Sequence, residues 1–104
     1  MELKLNLLNI LISKDKDLKK ITADKTTLLI VLLIYKYHIE KKEISSTDKF
    51  IDENKIDASR SKKILIIQNL EINNIIERKL NQKDRRSKII SIKKEIIDKL
   101  NKYL

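Results

Sequence analysis

Residues 75–92 read IIERKLNQKDRRSKIISI. Two short β-prone runs, IIERKL and SKIISI, flank a polar stretch, NQKDRR. Such runs, separated by turn-forming residues, predict a β-hairpin with a polar loop. The loop has an unusual order of charge. Lys83, Arg85, Arg86 and Lys88 surround one acid, Asp84, and the chain then turns apolar. A solvated turn needs charge, but it does not need arginine. All four arginines of this lysine-rich chain lie between Arg60 and Arg86. Codon bias toward A+T would have supplied lysine instead. A planar guanidinium with five donors suits phosphate, or a narrow A+T minor groove. Asp84 can hold one arginine, or close the loop by accepting from backbone N–H groups.

Working back from the hairpin, RSKKILIIQNLEI (60–72) has helical spacing, with Asp57 or Ser59 placed to cap it. Asn73 and Asn74 stand where a helix-stopping glycine usually stands. SSTDKFIDEN (45–54) carries another start signal, Ser45 or Ser46 followed by Asp48. EIS (43–45) reads as a short strand. KTTLLIVLLIYKYHIEKK (25–42), capped by Thr22 or Asp24, is apolar on most sides and reads as a central helix. Its LLIVLLI core is longer than the usual strand of about 5–6 residues. Leu3, Leu7, Leu8, Leu11 and Ile12 predict a first helix over about residues 2–13. SKDKDLKK (13–20) reads as a polar connection. KKEIIDKLNKYL (93–104) closes the chain as an amphipathic helix, with Ile96, Ile97, Leu100 and Leu104 on one face.

Composition narrows the chemistry. At 104 residues the chain is one domain, 1–104, able to bury a core without staples. It has no cysteine, which excludes disulfides and thiolate metal sites and fits a reducing cytoplasm. One histidine, His38, does not make a metal site. No glycine occurs, so no glycine-rich phosphate loop exists. The carboxylates are scattered among lysines, with no spacing that argues for a catalytic pair. No enzyme and no cofactor is expected. The longest apolar run, Leu28 to Tyr35, is far short of the ~20 residues of a spanning helix. No signal peptide, transmembrane segment or membrane role is expected.

Net charge is +9. The 29 residues from Arg60 to Lys88 hold nine bases against three acids, so two-thirds of the excess sits in less than a third of the chain. That is a footprint for an anionic partner rather than a uniform lysine excess. The expected fold is mainly α with a small β-hairpin, in the order helix, helix, strand, helix, helix, strand, strand, helix. This is the winged helix-turn-helix, with the helix-turn-helix at 45–72 and the wing at 75–92.

LEINNIIERKLNQKDRRSKIISI (70–92) resembles the wing region of the MarR superfamily of bacterial transcription regulators, chiefly through Asp84-Arg85-Arg86-Ser87 and its flanking strands. SRS (59–61) resembles the start of that family's recognition helix, and EISS (43–46) is similar to the SarA-type branch. The likeness covers residues 43–92; the terminal helices match by position only. It implies a homodimer joined through 1–21 and 93–104, and a double-stranded DNA partner, here A+T-rich. Residues expected at DNA are Ser59, Arg60, Ser61, Lys62, Lys63 and Gln68 of the recognition helix. In the wing they are Arg78, Lys83, Asp84, Arg85, Arg86 and Lys88. The dimer face is expected to hold Leu3, Leu7, Leu8, Leu11, Ile97, Leu100 and Leu104. The chain departs from the family in three places. The stretch between ISS and SRS is two or three residues longer. Lys63 falls at a usually apolar position, with Ile64 and Leu65 where polar residues usually face DNA. The asparagine pair replaces a glycine. An apolar patch there can meet a protein, a base face or a thymine methyl.

Overall fold

The computed structural model describes residues 2–104, and side chains from residue 7 onward. Leu3, expected on the dimer face, lies outside the described side chains. The described residues form six helices and one antiparallel hairpin: α1 (Glu2–Ile12), α2 (Lys16–Thr22), α3 (Lys25–Ile39), α4 (Thr47–Glu53), α5 (Arg60–Ile72), β1 (Ile76–Leu80), β2 (Lys88–Ile92) and α6 (Lys94–Asn101). The chain is thus mainly helical, in an order compatible with winged-helix topology. No helix of the described residues is long and apolar enough to cross a membrane.

Caps set the helix starts. The Asp24 side chain accepts from Thr27 N–H, Ser46 from Lys49 N–H and Ser59 from Lys62 N–H, so each takes one orphan donor of α3, α4 and α5. Two helix ends stop without glycine. Lys41 and Asn74 adopt left-handed φ values of 56° and 59°. After α3, Lys42 N–H donates to Tyr37 O and Lys41 N–H to His38 O; after α5, Ile75 N–H donates to Leu70 O and Asn74 N–H to Glu71 O. Both are Schellman stops. Asparagine tolerates this conformation better than lysine does.

The polar connection expected at 13–20 is largely helix α2. Asp15 Oδ1 accepts from the N–H groups of Asp17 and Leu18 at 2.9 and 3.1 Å. Leu18 and Ile21, two apolar side chains three apart, are fully buried. Burial of this pair, rather than a long periodic face, holds so short a helix.

One core joins all elements. Ile30, Val31 and Ile34 of α3 meet Phe50 and Ile51 of α4, Ile67 and Leu70 of α5, and Ile76, Ile90 and Ile92 of the hairpin. The hairpin register pairs Ile76 with Ile92 and Leu80 with Lys88. The strand expected at 43–45 shrinks to a single bridge, with Ile90 N–H donating to Ile44 O at 3.0 Å. That bridge places the start of α4 beside the hairpin.

The last helix corrects the placing of Leu100 on the dimer face. Leu100 is fully buried in its own chain's core, as is Ile96, and Ile97 packs at the core's edge. An apolar helical face shows that something covers it; here the chain itself covers most of it. Leu8 and Leu11 of α1 stay exposed, with Leu104 exposed and Leu7 half-buried. Tyr35 Oη donates to Asn101 Oδ1, tying α3 to α6, and burial pushes the Tyr35 phenol up.

Lys99 closes the same end. Its Nζ lies 2.9 Å from Asp15 and 2.8 Å from Asp17, both at the start of α2. Burial pushes the Asp15 carboxyl up, but the Lys99 bond and charge and the Leu18 and Asp17 N–H groups outweigh it, and the net displacement is downward. A carboxyl lowered on folding stabilises above its unfolded pKa, and that stability fades as pH falls through the folded value. Lys99→Met is therefore expected to cost about 1 kcal/mol at pH 7. Urea unfolding should show the gap to wild type closing below about pH 4.

Candidate nucleic-acid interface

The start of α5 is exposed, but its charges are engaged. Ser59 is the cap residue, and its Oγ accepts from Lys62 N–H at 3.1 Å. Arg60 donates from Nη1 to Asp52 Oδ1 at 2.8 Å and from Nη2 to Asp48 Oδ1 at 2.7 Å. This clamp spans the turn between α4 and α5. A phosphate reaching Arg60 must displace a carboxylate, so the residue expected at DNA is first an internal brace. Lys62 is exposed, with Nζ 3.8 Å from Asp24 at the start of α3. Ser61 and Gln68 are exposed.

Two residues expected at DNA are withdrawn. Lys63 is buried on the inner face of α5, in line with Ile66, Ile67 and Leu70. A lysine suits such a position because its long aliphatic stem packs as an apolar side chain does. Arg78 is only 18% exposed and donates from Nε (3.1 Å) and Nη2 (2.8 Å) to Glu71 Oε1. It braces β1 against α5. The Arg78 hydrogen bond draws the Glu71 carboxyl below its usual range, against burial and with help from the Arg78 and Lys88 charges.

The hairpin loop is built rather than loose. Asp84 does both jobs open to it: Oδ1 accepts from Arg86 N–H at 3.1 Å and from Arg86 Nε at 3.4 Å. Ser87 N–H and Oγ donate to Asp84 O at 3.1 and 3.2 Å. Arg86 is nonetheless 94% exposed, and Lys83, Arg85 and Lys88 are also exposed. Three cations thus project from a hydrogen-bonded turn, and Lys88 adds a fourth at the start of β2. Between that turn and the start of α4 lies a polar cleft of about 240 Å³, bordered by Ser46, Thr47, Asp48, Arg78, Arg86, Ser87 and Lys88.

Asn81, which sequence reasoning did not single out, anchors the loop. It is buried, and its Nδ2 donates to Ser45 O (3.3 Å) and Ser87 Oγ (3.4 Å) while Oδ1 accepts from Lys83 N–H (3.0 Å). The signal for it in the sequence was an asparagine at the first loop position after a strand. Asn81→Ala is expected to speed exchange of the Lys83 amide roughly tenfold, the equivalent of about one hydrogen bond. Unchanged Lys83 exchange in native-state NMR would reject the anchor.

The outer pole of α5 carries Ser61, Leu65, Gln68 and Ile72, all exposed. Ile64, its neighbour in the sequence, instead packs against the core. Comparison with known family models, curated proteins and solved structures finds no match to this chain, so the reading of the site rests on its residues.

Proposed function

We propose that this chain is a sequence-preferring, double-stranded DNA-binding regulator of transcription, a winged helix-turn-helix protein of MarR/SarA type acting in the cytoplasm. One observation carries the reading: a hydrogen-bonded loop presenting Lys83, Arg85 and Arg86, with Lys88 at the start of β2, stands beside the start of α4, while α5, tied to the same hairpin through Glu71 and Arg78, carries the exposed Lys62 in its first turn. In this reading α4 and α5 are the helix-turn-helix and the hairpin is the wing. The wing arginines meet phosphates or the minor groove, and α5 enters the major groove. Phosphate pairing supplies affinity and salt dependence. The exposed Leu8, Leu11 and Leu104 support a homodimer, although with fewer side chains than the terminal helices alone suggested. Light scattering at micromolar concentration tests it, and a monomer rejects it.

The exposed Leu65 and Ile72 favour a second reading, a winged-helix module that binds a protein partner, or one that assists replication or a mobile element on single strands. Few aromatics argue against single strands, where stacking usually dominates. Fluorescence anisotropy with labelled A+T-rich duplex and single strands, across a salt series, separates these readings. The expected result is tighter duplex binding with a steep salt slope, shallower by about one unit in Arg86→Ala. Tighter single-strand binding supports the replication reading, and no binding supports the protein partner.

A further inference from the structure

A second excess of positive charge gathers where α2 hands over to α3. Residues 14–25 hold five lysines against three aspartates. All three aspartates are claimed from elsewhere: Asp15 and Asp17 by Lys99 of α6, and Asp24 by Lys62 of α5 and by the α3 cap. Lys14, Lys16, Lys19, Lys20 and Lys25 are exposed, and among the described residues none of them pairs with a carboxylate. Lys16 and Lys20 share the outer face of α2, turned away from buried Leu18 and Ile21. Like charges four apart on a helix repel. Lys62 is no part of this excess, because Asp24 balances it.

Helix α5 joins this corner to the site. At 3.6 residues per turn, Lys62, Asn69 and Asn73 fall on one flank of α5, and Arg60 and Glu71 on the opposite flank. The second flank is tied to the wing through Glu71 and Arg78. The first meets α2 and α3. There a cleft of about 270 Å³ separates Lys20 and Thr27 from Asn69 and Asn73, over Ile66 and Leu70. No carboxylate borders it, whereas Asp48 borders the cleft between the wing and α4.

We propose that this corner holds the sugar–phosphate backbone of a duplex on the side of α5 away from the wing, with Lys20 pairing a phosphate at the cleft and Lys19 and Lys25 beside it. The proposal rests on the duplex-binding reading above and adds a second phosphate contact to that site. A helix about 10–12 Å across fills a major groove about 12 Å wide, so its two flanks face two different phosphate chains. The wing serves one chain. Without the corner, the other would meet only Lys62, whose charge is already balanced. A backbone phosphate takes a cation with polar groups beside it. Lys20 supplies the charge, Asn69 and Asn73 bring amides, and no acid on the cleft repels the phosphate. A membrane surface or an acidic protein segment would use the same lysines, but would not need them set across α5 from a second cationic element.

The test uses the full chain, a labelled A+T-rich duplex and anisotropy across a salt series. Lys20→Gln should make the slope of log affinity against log salt shallower by about 0.9, the share of one phosphate. Lys20→Gln combined with Arg86→Ala should lower it by about twice that, because the two cations meet different chains. Lys20→Arg keeps the charge and should keep the wild-type slope. Lys36→Gln removes the same charge from an exposed position roughly 16 Å along α3 from Lys25, beyond the screening length of about 10 Å at 0.1 M salt, and should leave the slope unchanged. All four are substitutions of exposed side chains, so thermal melts should match wild type. A wild-type slope in Lys20→Gln overturns the proposal and leaves the duplex reading standing. An equal drop in Lys36→Gln also overturns it, since net charge rather than a contact would then set the slope. Wild-type protein that binds no duplex removes the duplex reading and the proposal together. Binding to phosphatidylglycerol vesicles that Lys20→Gln abolishes would in that case assign the corner to a membrane surface.

Discussion

Arg85→Glu and Arg86→Glu together are expected to weaken duplex binding by more than about 100-fold at 0.1 M salt. Each phosphate neutralised contributes about 0.9 to the slope of log affinity against log salt, or roughly eightfold between 1 M and 0.1 M. Two phosphates left unpaired give roughly 60-fold, and reversed charges add repulsion from phosphate. The fold should not suffer. Arg86 is almost fully exposed, Arg85 is exposed, and surface substitutions usually stay within about 0.5 kcal/mol. The Arg86 N–H bond to Asp84 is a backbone bond and survives the change. Anisotropy beside a thermal melt reads both quantities. Unchanged affinity with an unchanged melt would take the wing away from nucleic acid and favour a protein-binding module.

Phe50→Ala should produce the largest loss of stability, about 3–5 kcal/mol. Phe50 is the largest fully buried side chain and lies where α4, α3 and α5 meet. Its ring packs edge-on against Tyr37, with centroids 5.7 Å apart and planes at 61°. Tyr37 in turn donates to Glu53 and accepts from Asn54 at the end of α4. Removing the ring leaves a cavity and loosens the helix that carries Asp48 and Asp52. Against a typical total of about 5–15 kcal/mol, the loss leaves a marginal protein. Urea unfolding should show a lower midpoint at similar m-value, and Phe50→Leu should recover much of the difference. A loss below about 1 kcal/mol would mean that α4 contributes little to the core.

Much of this architecture was legible in the residues. The caps Asp24, Ser46 and Ser59, the asparagine stop at 73–74 and the hairpin at 75–92 are local signals, and local signals survive tertiary context. Helix α2 was hidden because two apolar residues make no pattern. What sequence could not give was the partner of each side chain. Arg60 and Arg78 look like free cations in a charge count, yet Asp48, Asp52 and Glu71 claim them from 7 to 12 positions away. Leu100 looked like an interface residue because periodicity marks a buried face without saying whose core buries it. Lys63 is the opposite case: its place in an apolar row already hinted at the inward turn that the structure gives it.

The wing's internal hydrogen bonds have a consequence in time. Asn81 and Asp84 hold the loop before any partner arrives, so an encounter need not wait for the loop to order. Association should then approach the rate set by diffusion and charge steering, and salt should act strongly on the on-rate. Freeing the loop by Asn81→Ala would leave that attraction intact but slow the step after first encounter. In the duplex-binding reading, the same four cations would still find their partner; fewer of the meetings would last.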